Sequence, residues 1–133
     1  MPISFDSALG IHDKALLVRA RRGEILASNL ANADTPGYKA RDIDFREALA
    51  RASANGNGGL ALKVTSGRHI RGFAPGPEPE LRYRIPLQPS LDGNTVDTQL
   101  EKAAFAENAL QYQTTLHFLS SKFRGLRLAI KGE

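Results

Sequence analysis

The sequence has no cysteine and no tryptophan, and its 133 residues include only six phenylalanines and three tyrosines. The absence of cysteine excludes disulfides and thiolate metal sites. With so few aromatic residues, a core must be built mainly from Leu, Ile, Val and Ala. Apolar residues nevertheless make up 41% of the chain, so its composition is not that of a disordered protein, and its length suits one domain.

Long apolar runs are missing as well. No stretch approaches the roughly 18 apolar residues that identify a membrane-spanning helix. The first residues do not form a basic segment followed by an apolar one, because Asp6, His12, Asp13 and Lys14 interrupt the pattern. We therefore expect no direct membrane span, and either a cytoplasmic protein or one exported without a cleaved signal.

The net charge of +4 reflects a small excess of 18 Lys and Arg over 14 Asp and Glu. The basic residues are spread along the chain, which favours solvated helix faces over a nucleic-acid surface. The best candidates for a nucleic-acid patch are Arg68, Arg71, Arg82 and Arg84 with Phe73 and Tyr83. The prolines between them favour a solvated loop.

Residues 5–33 have the periodicity of an amphipathic helix, which Ser4 or Asp6 is expected to cap. One face carries apolar and small residues three and four apart: Phe5, Leu9, His12, Leu16, Ala20, Gly23, Ala27 and Leu30. A second seam with a seven-residue period consists of Ile11, Val18 and Ile25. The helix is predicted to stop before Pro36-Gly37, which favours a turn.

The middle of the chain predicts short, irregular elements. Asp44 and Glu47 have capping-box spacing, so a short helix is expected, with an apolar face of Phe45, Ala48, Leu49 and Ala52. Residues 53–59 are predicted to be a linker, 60–64 a short strand, 65–67 a turn and 73–80 an extended segment. Residues 81–85 alternate in polarity and predict a strand.

Residues 97–131 predict a second, longer helix. Asp92-Gly93-Asn94 indicates a turn before it, Thr98 and Glu101 have capping-box spacing, and Gly132 favours a stop. One row has the spacing of a coiled-coil seam: Phe105, Ala109, Tyr112, Leu116, Leu119, Phe123, Leu126 and Ile130. A second row widens the apolar face: Val96, Leu100, Ala103 and Leu110.

The longer helix would measure roughly 50 Å, whereas a compact globule of this chain length is roughly 35 Å across. It must bend or project, and a projecting apolar row needs a partner. We predict a mainly α fold in which two long terminal helices pair as an antiparallel coiled coil, with a small irregular β-containing middle region. The expected regions are 1–52, 53–90 and 91–133, and neighbouring subunits are expected to cover the remaining apolar area.

A twelve-residue string from Ser28 to Lys39 joins the first helix to a fixed reversal. Asn29 and Asn32 lie three residues apart and are expected to bond backbone groups where the helix stops. Five further residues are expected to shape the reversal: Asp34, Thr35, Pro36, Gly37 and Tyr38. Asp34 or Thr35 can cap the turn, Pro36 fixes φ, Gly37 permits a positive φ, and the ring of Tyr38 can anchor the returning chain.

This string resembles the signature of the flagellar axial proteins, the rod, hook and hook-junction family. The resemblance continues through residues 39–45 and resumes between Asp92 and Leu126. It covers most of 5–50 and 91–131 but is weak over 53–90. The short length resembles the proximal-rod type of that family.

The resemblance implies a structural subunit of the basal-body rod that contributes to bacterial motility, and not an enzyme. It implies no catalytic residue, no metal and no cofactor. It implies export by the flagellar type III apparatus to the periplasmic rod, with other rod proteins, the membrane-ring adaptor and copies of the chain as partners. The apolar rows supply the expected assembly interface: Leu9, Leu16, Leu30, Phe105, Tyr112, Leu116, Leu119, Phe123, Leu126 and Ile130.

Two other function classes stay open, a peptidoglycan-acting protein and a nucleic-acid-binding protein. A rod crosses peptidoglycan, but no Glu has the sequence context of a buried acid. Asp42 and Asp44 are interpreted as a surface charge and a cap. The calcium-like loop at 92–97 has Val96 where an oxygen ligand is needed. The histidines lack zinc spacing, and helix packing is expected for His12 and His117.

Overall fold

The computed structural model describes residues 8–54, 79–86 and 88–132. These residues form three helices and two strands: α1 (His12–Ala31), β1 (Arg41–Ile43), α2 (Phe45–Ala54), β2 (Leu81–Tyr83) and α3 (Thr98–Lys131). The predicted mainly α fold with a small β-containing region is thereby confirmed for this part of the chain. No helix within it combines the length and the apolar character that crossing a membrane requires.

The predicted helix is interrupted near its start. Ala8 and Leu9 are helical, but Gly10 has a φ of 66°, outside the helical region, so the continuous helix α1 starts at His12. The predicted caps Ser4 and Asp6 lie outside the described residues. The end at Ala31 lies two residues before the predicted one.

A residue from the segment before α3 closes the C-terminal end of α1. The side-chain amide nitrogen of Asn94 donates to three backbone carbonyls, those of Asn32, Ala33 and Thr35, at 3.1, 2.6 and 3.0 Å. These carbonyls belong to the reversal that follows the last helical residue, Ala31. Asn94 therefore holds the reversal in place, and its side-chain oxygen accepts from the N–H of Val96 at 2.8 Å.

The strand β1 pairs antiparallel with β2 in a register that places Arg41 opposite Tyr83. The N–H of Arg84 donates to the carbonyl of Ala40 at 2.9 Å and extends the ladder. The predicted strand at 81–85 is confirmed as the shorter β2. The strand β1 was not predicted, because three residues between a turn and a helix cap show no clear alternation.

The small core lies between α1, β1 and α2. Val18, Ile43 and Ala48 are buried, and Ile25 and Phe45 pack against them. Two members of the predicted second seam, Val18 and Ile25, therefore face this core.

The short helix α2 has the predicted start. The N–H of Glu47 donates to a side-chain oxygen of Asp44 at 3.1 Å. The Glu47 carboxylate does not return to the cap and instead binds Arg51 at 2.6 Å. Because α2 extends to Ala54, the predicted linker at 53–59 is wrong in its first two residues. The remainder of that linker, the strand at 60–64, the turn at 65–67 and most of the segment at 73–80 lie outside the described residues.

The long helix α3 starts where the sequence indicated but has a different cap. A side-chain oxygen of Asp97 accepts from two backbone N–H groups of the first turn at 2.9 and 3.2 Å. The predicted capping box of Thr98 and Glu101 is wrong, because Asp97 is the cap and the Glu101 carboxylate accepts from Arg84 and Asn29 instead. The predicted stop is confirmed at Gly132, which has a φ of 72°.

Replacing Asn94 with Ala should destabilise the fold by about 1–3 kcal/mol, because the Ala33 carbonyl loses its donor and the carbonyls of Asn32 and Thr35 each lose one of two donors. Gln99→Ala, at an exposed position in the first turn of α3, is the matched control and should change stability by less than about 0.5 kcal/mol. Urea unfolding followed by circular dichroism measures both. Equal midpoints for the two variants would contradict this role of Asn94.

Candidate functional site

The reversal after α1 ties the helix to the segment that precedes α3. The side-chain amide of Asn32 donates to the carbonyl of Ser28 at 2.8 Å, and its side-chain oxygen accepts from the Thr35 hydroxyl at 3.2 Å. Gly37 has a φ of 73°, which favours glycine. Its N–H donates to the carbonyl of Asp92 at 2.9 Å. Asn32 therefore acts at the helix end, as expected.

Asn29 acts across a longer distance than the sequence indicated. It is fully buried. Its side chain donates to the Arg41 carbonyl at 2.7 Å and accepts from the Arg41 N–H at 3.1 Å. The hydroxyl of Tyr38 donates to the same Asn29 oxygen at 3.4 Å. Asn29 thus pairs with the backbone of β1 as a neighbouring strand would, rather than with the end of its own helix.

A partly buried ionic network links four parts of the fold. Glu101 on α3 has only 1% of its surface exposed, and it accepts from Arg84 at 2.7 Å and from Asn29 at 3.2 Å. Arg84 also donates to Asp42 at 2.6 Å. Arg22 on α1 binds both Asp42 oxygens at 2.9 and 3.0 Å. Two cations balance two anions, so no charge in this network is left unpaired.

The network overturns two expectations. Asp42 is not a surface charge, because it lies between Arg22 and Arg84. Glu101 is a buried acid, contrary to the expectation that no Glu would be one. Both of its oxygens are occupied by donors, which leaves neither oxygen without a partner.

The proposed nucleic-acid patch loses the two arginines that the structure describes. Arg82 pairs with Glu47, and it lies 3.8 Å from Asp44. Arg84 belongs to the buried network. Arg68, Arg71 and Phe73 lie outside the described residues.

The Asp42 carboxyl has a lowered pKa. Burial alone would raise the pKa of Asp42, but hydrogen bonds from Arg22, the Ile43 N–H and Arg84 together outweigh that effect. The hydrogen bond with Asp42 correspondingly raises the pKa of Arg22. Both shifts favour the charged forms in the folded protein.

Several polar side chains join α1 to α3. Asn108 packs against Gly23 and donates to the Arg19 carbonyl at 3.0 Å. The Arg19 guanidinium donates to Gln111. Farther along, the ring of His12 lies 5.9 Å from that of Phe118. Residue numbers rise on one helix as they fall on the other, so the two helices run antiparallel.

The apolar row of α3 is rotated about the helix axis relative to the residues that face α1. We define the α3 row as Phe105, Tyr112, Leu116, Leu119, Phe123, Leu126 and Ile130. On an ideal helix its mean direction lies roughly 60° from that of the residues facing α1, which are 101, 104, 108, 111 and 115. Phe105, Leu116 and Ile130 are 43%, 45% and 85% exposed. The row is therefore a projecting apolar surface beside the polar helix pair.

The other predicted site residues divide between the interior and the surface. Within the α3 row, Leu119 and Leu126 are half-buried. Three more residues expected at the interface, Leu9 before α1 and Leu16 and Leu30 on α1, are also half-buried. In the reversal, Tyr38 is half-buried and Asp34, Thr35 and Pro36 are exposed.

Sequence reasoning missed the residues that hold the helices together. Glu101, Asn108 and Thr115 are buried and lie seven residues apart on α3. This seven-residue spacing of polar residues is visible in the sequence and marks the face toward α1, but the apolar spacing of the same helix predicts a different face. Among the described residues, no group of three His, Cys, Asp or Glu side chains is arranged to hold a metal ion.

The chain resembles rod proteins of the bacterial flagellum along its whole length. The family described as "Flagella basal body rod protein" matches residues 11–39. The "Flagellar basal body rod protein FlgB" of Aeromonas hydrophila is 54% identical and covers 100% of this chain and 99% of its own. The proteins of the same name from Salmonella typhimurium and Escherichia coli are 50% and 51% identical and cover 96% and 91% of this chain.

Replacing Glu101 with Gln should lower the free energy of unfolding by about 1.5–3 kcal/mol, because Arg84 loses a charge-assisted hydrogen bond in a buried setting. Glu107→Gln changes an exposed glutamate of the same helix and should have an effect below about 0.5 kcal/mol. Denaturant unfolding of both variants tests this, and similar losses would rule out a special role for Glu101.

The lowered pKa of Asp42 predicts a stability contribution that depends on pH. A depressed pKa stabilises the fold above the unfolded value of about 3.9, and this contribution disappears as the pH falls through the folded pKa. Asp42→Asn should therefore be less stable than the parent at neutral pH, and the difference should shrink in acid. Urea unfolding at a series of pH values measures it, and a constant difference down to the lowest pH would contradict the prediction.

Proposed function

Because the chain belongs to the flagellar basal-body rod proteins, and is therefore a structural subunit of the flagellum, we propose that it enters the rod through the α3 row. The supporting observation is the exposure of that row on a helix of 34 residues. Large apolar surfaces on a single subunit mark protein contacts. The neighbours that cover the row are other rod subunits, including copies of this chain.

The polar contact between α1 and α3 supports a division of labour within the long helix. Asn108 and Gln111 bind α1, while the adjacent row carries aromatic and aliphatic side chains. A polar contact specifies how two helices meet, because wrong registers leave its hydrogen bonds unmade. The row is then free to pack against helices of neighbouring subunits in coiled-coil fashion.

The finer aspects of the role rest on the family resemblance. We place the subunit in the proximal rod, in the periplasmic space beneath the hook, where it contacts the other rod proteins and the membrane-ring adaptor. It reaches that place through the flagellar type III apparatus. The relatives' names describe a rod protein, and the proposed role requires packing, not catalysis.

We propose the three regions with the boundaries that the sequence suggested, although α2 runs two residues past the first boundary. Residues 1–52 and 91–133 supply the assembly helices, and 53–90 is a variable contact region. The described end of the middle region is attached to the first region through β2 and β1. This attachment supports a middle region held at one end against the helix pair.

Leu116→Asp tests the assembly role. Leu116 is exposed, so the variant should fold normally but place a charge in a dry interface, where an unpaired charge costs several kcal/mol. In cells lacking their own copy of the protein, it should fail to restore swimming in soft agar and filament formation.

Leu110→Asp is the matched control, because Leu110 is 65% exposed and lies on the far side of α3 from the row. It should restore swimming. Normal motility with Leu116→Asp, while the protein is stable and exported, would refute the proposed role of the row.

A further inference from the structure

The flanks of the α3 row change in charge along the helix. In the first half of the row the positions beside it are uncharged: Ala106, Asn108, Gln113 and Thr115. From Leu119 to Ile130 they include two exposed cations, Lys122 and Arg127. Within the described part of the chain, neither cation takes part in an ion pair. We call residues 119–130 the basic segment, since the nearest acidic residues in the sequence, Glu107 and Glu133, lie outside it.

The two cations occupy the positions at which coiled coils select their partners. The last members of the row alternate between heptad positions d and a, with Leu119 and Leu126 at d and Phe123 and Ile130 at a. Lys122 then lies at g and Arg127 at e. On an ideal helix each lies roughly 40° outside the apolar arc, one on either side. Charges at e and g form salt bridges between helices and determine partner choice and orientation.

A second copy of α3 is a poor partner for the basic segment. In a parallel pair, position g of one helix faces position e of the other, so Lys122 of each copy would face Arg127 of the other. An antiparallel pairing of the segment with itself brings g against g and e against e, which again opposes cations. Like charges in such places select against a partner.

The other described helices do not supply the missing negative charge. The acidic residues of α1, α2 and α3 are Asp13, Glu24, Glu47, Glu101 and Glu107. No two of them lie within five positions of each other, so no described helix presents a pair of carboxylates at the spacing of g and the following e. A partner that matches the basic segment must therefore come from another protein.

We propose that the basic segment of α3 receives a helix of a different protein, one with apolar residues at a and d and acidic residues at e and g. This inference rests on the proposed function and deepens it by naming the chemistry of one neighbour. The uncharged half of the row, from Phe105 to Leu116, remains open to copies of this chain.

The spacing of the row favours a helix over a lipid surface as the occupant. Intervals of four and three continue without a break from Phe105 to Ile130, and a strict a and d row is the narrow seam that a partner helix covers. A helix that lies on a lipid surface has a strongly polar opposite face. Here Leu128, which is 50% exposed, lies on that opposite face.

The test measures whether the full chain prefers an acidic helix. Two synthetic peptides of about three heptads share leucine at a and d and differ only at e and g, where one carries Glu and the other Lys. A fluorophore on each peptide reports binding to the full chain by anisotropy. The acidic peptide should bind the parent about tenfold more tightly, because its carboxylates meet Lys122 and Arg127.

Reversing the two flanking charges should reverse this preference. Lys122→Glu combined with Arg127→Glu should bind the basic peptide about tenfold more tightly than the acidic one. The matched control combines Arg124→Glu with Lys131→Glu, which changes the net charge of the same helix equally but at position b, away from the seam. The control should still prefer the acidic peptide. Circular dichroism verifies that each variant is folded.

The same variants test the role in cells that lack their own copy of the protein. The variant with both flanking charges reversed should fail to restore swimming in soft agar, because its partner helix is repelled. The control variant should restore swimming. Normal swimming of the charge-reversed variant would contradict the proposal.

Further results would overturn it in other ways. Equal binding of the two peptides, or an equal reversal in the control variant, would show that positions e and g do not select a partner. Binding of the parent to phosphatidylglycerol vesicles, lost on reversal of the flanking charges and without a peptide preference, would assign the segment to a lipid surface. Self-association that the acidic peptide does not displace would assign it to a second copy. Each would leave the rod role standing if Leu116→Asp still abolished swimming.

Discussion

The fold depends on one buried carboxylate, that of Glu101. The Glu101 carboxylate connects α3 to the rest of the chain, because it accepts hydrogen bonds from Arg84, which follows β2, and from Asn29 on α1. Arg84 also donates to Asp42 in β1, which joins the sheet to the same set of contacts. A buried charge without its partners is strongly destabilising, so α1, the sheet and α3 must be in place together. The small apolar core is thus supplemented by polar contacts that are all made in only one arrangement of the helices and the sheet.

Because polar contacts join α3 to α1, the apolar α3 row can stay exposed on the subunit and available to neighbours in the proposed assembly. If α1 had covered the row, the subunit would have been more stable alone and would have had less to offer a neighbour. Instead, Asn108 sits over Gly23, where the absence of a side chain allows close approach. Hydrogen bonds then determine the register of the pair, while the hydrophobic surface beside it gains its burial only on assembly.

Local signals in the sequence predicted the elements well and their contacts less well. The Pro36-Gly37 turn, the Asp44 cap and the Gly132 stop all depend on residues close in sequence, and each is confirmed. The strand β1 and the role of Asn29 depend on partners far along the chain, which no periodicity reveals. The apolar spacing of α3 was recognised correctly, but that spacing alone could not show which face α1 would take. The local spacing of Glu101 predicted a helix cap. Its burial depends instead on Arg84, which the local sequence does not connect with it.

The helix pair is also incompletely bonded. Buried atoms on Asp13, Arg19 and Asn108 have no hydrogen-bond partner among the described residues. A buried polar group costs about 1–3 kcal/mol where nothing outside the described residues bonds it. The pair is consequently better suited to selecting one register than to holding the subunit together by its own strength. In the proposed assembly, burial of the α3 row by neighbours adds the stability that the isolated pair lacks, which couples the order of the subunit to its place in the rod.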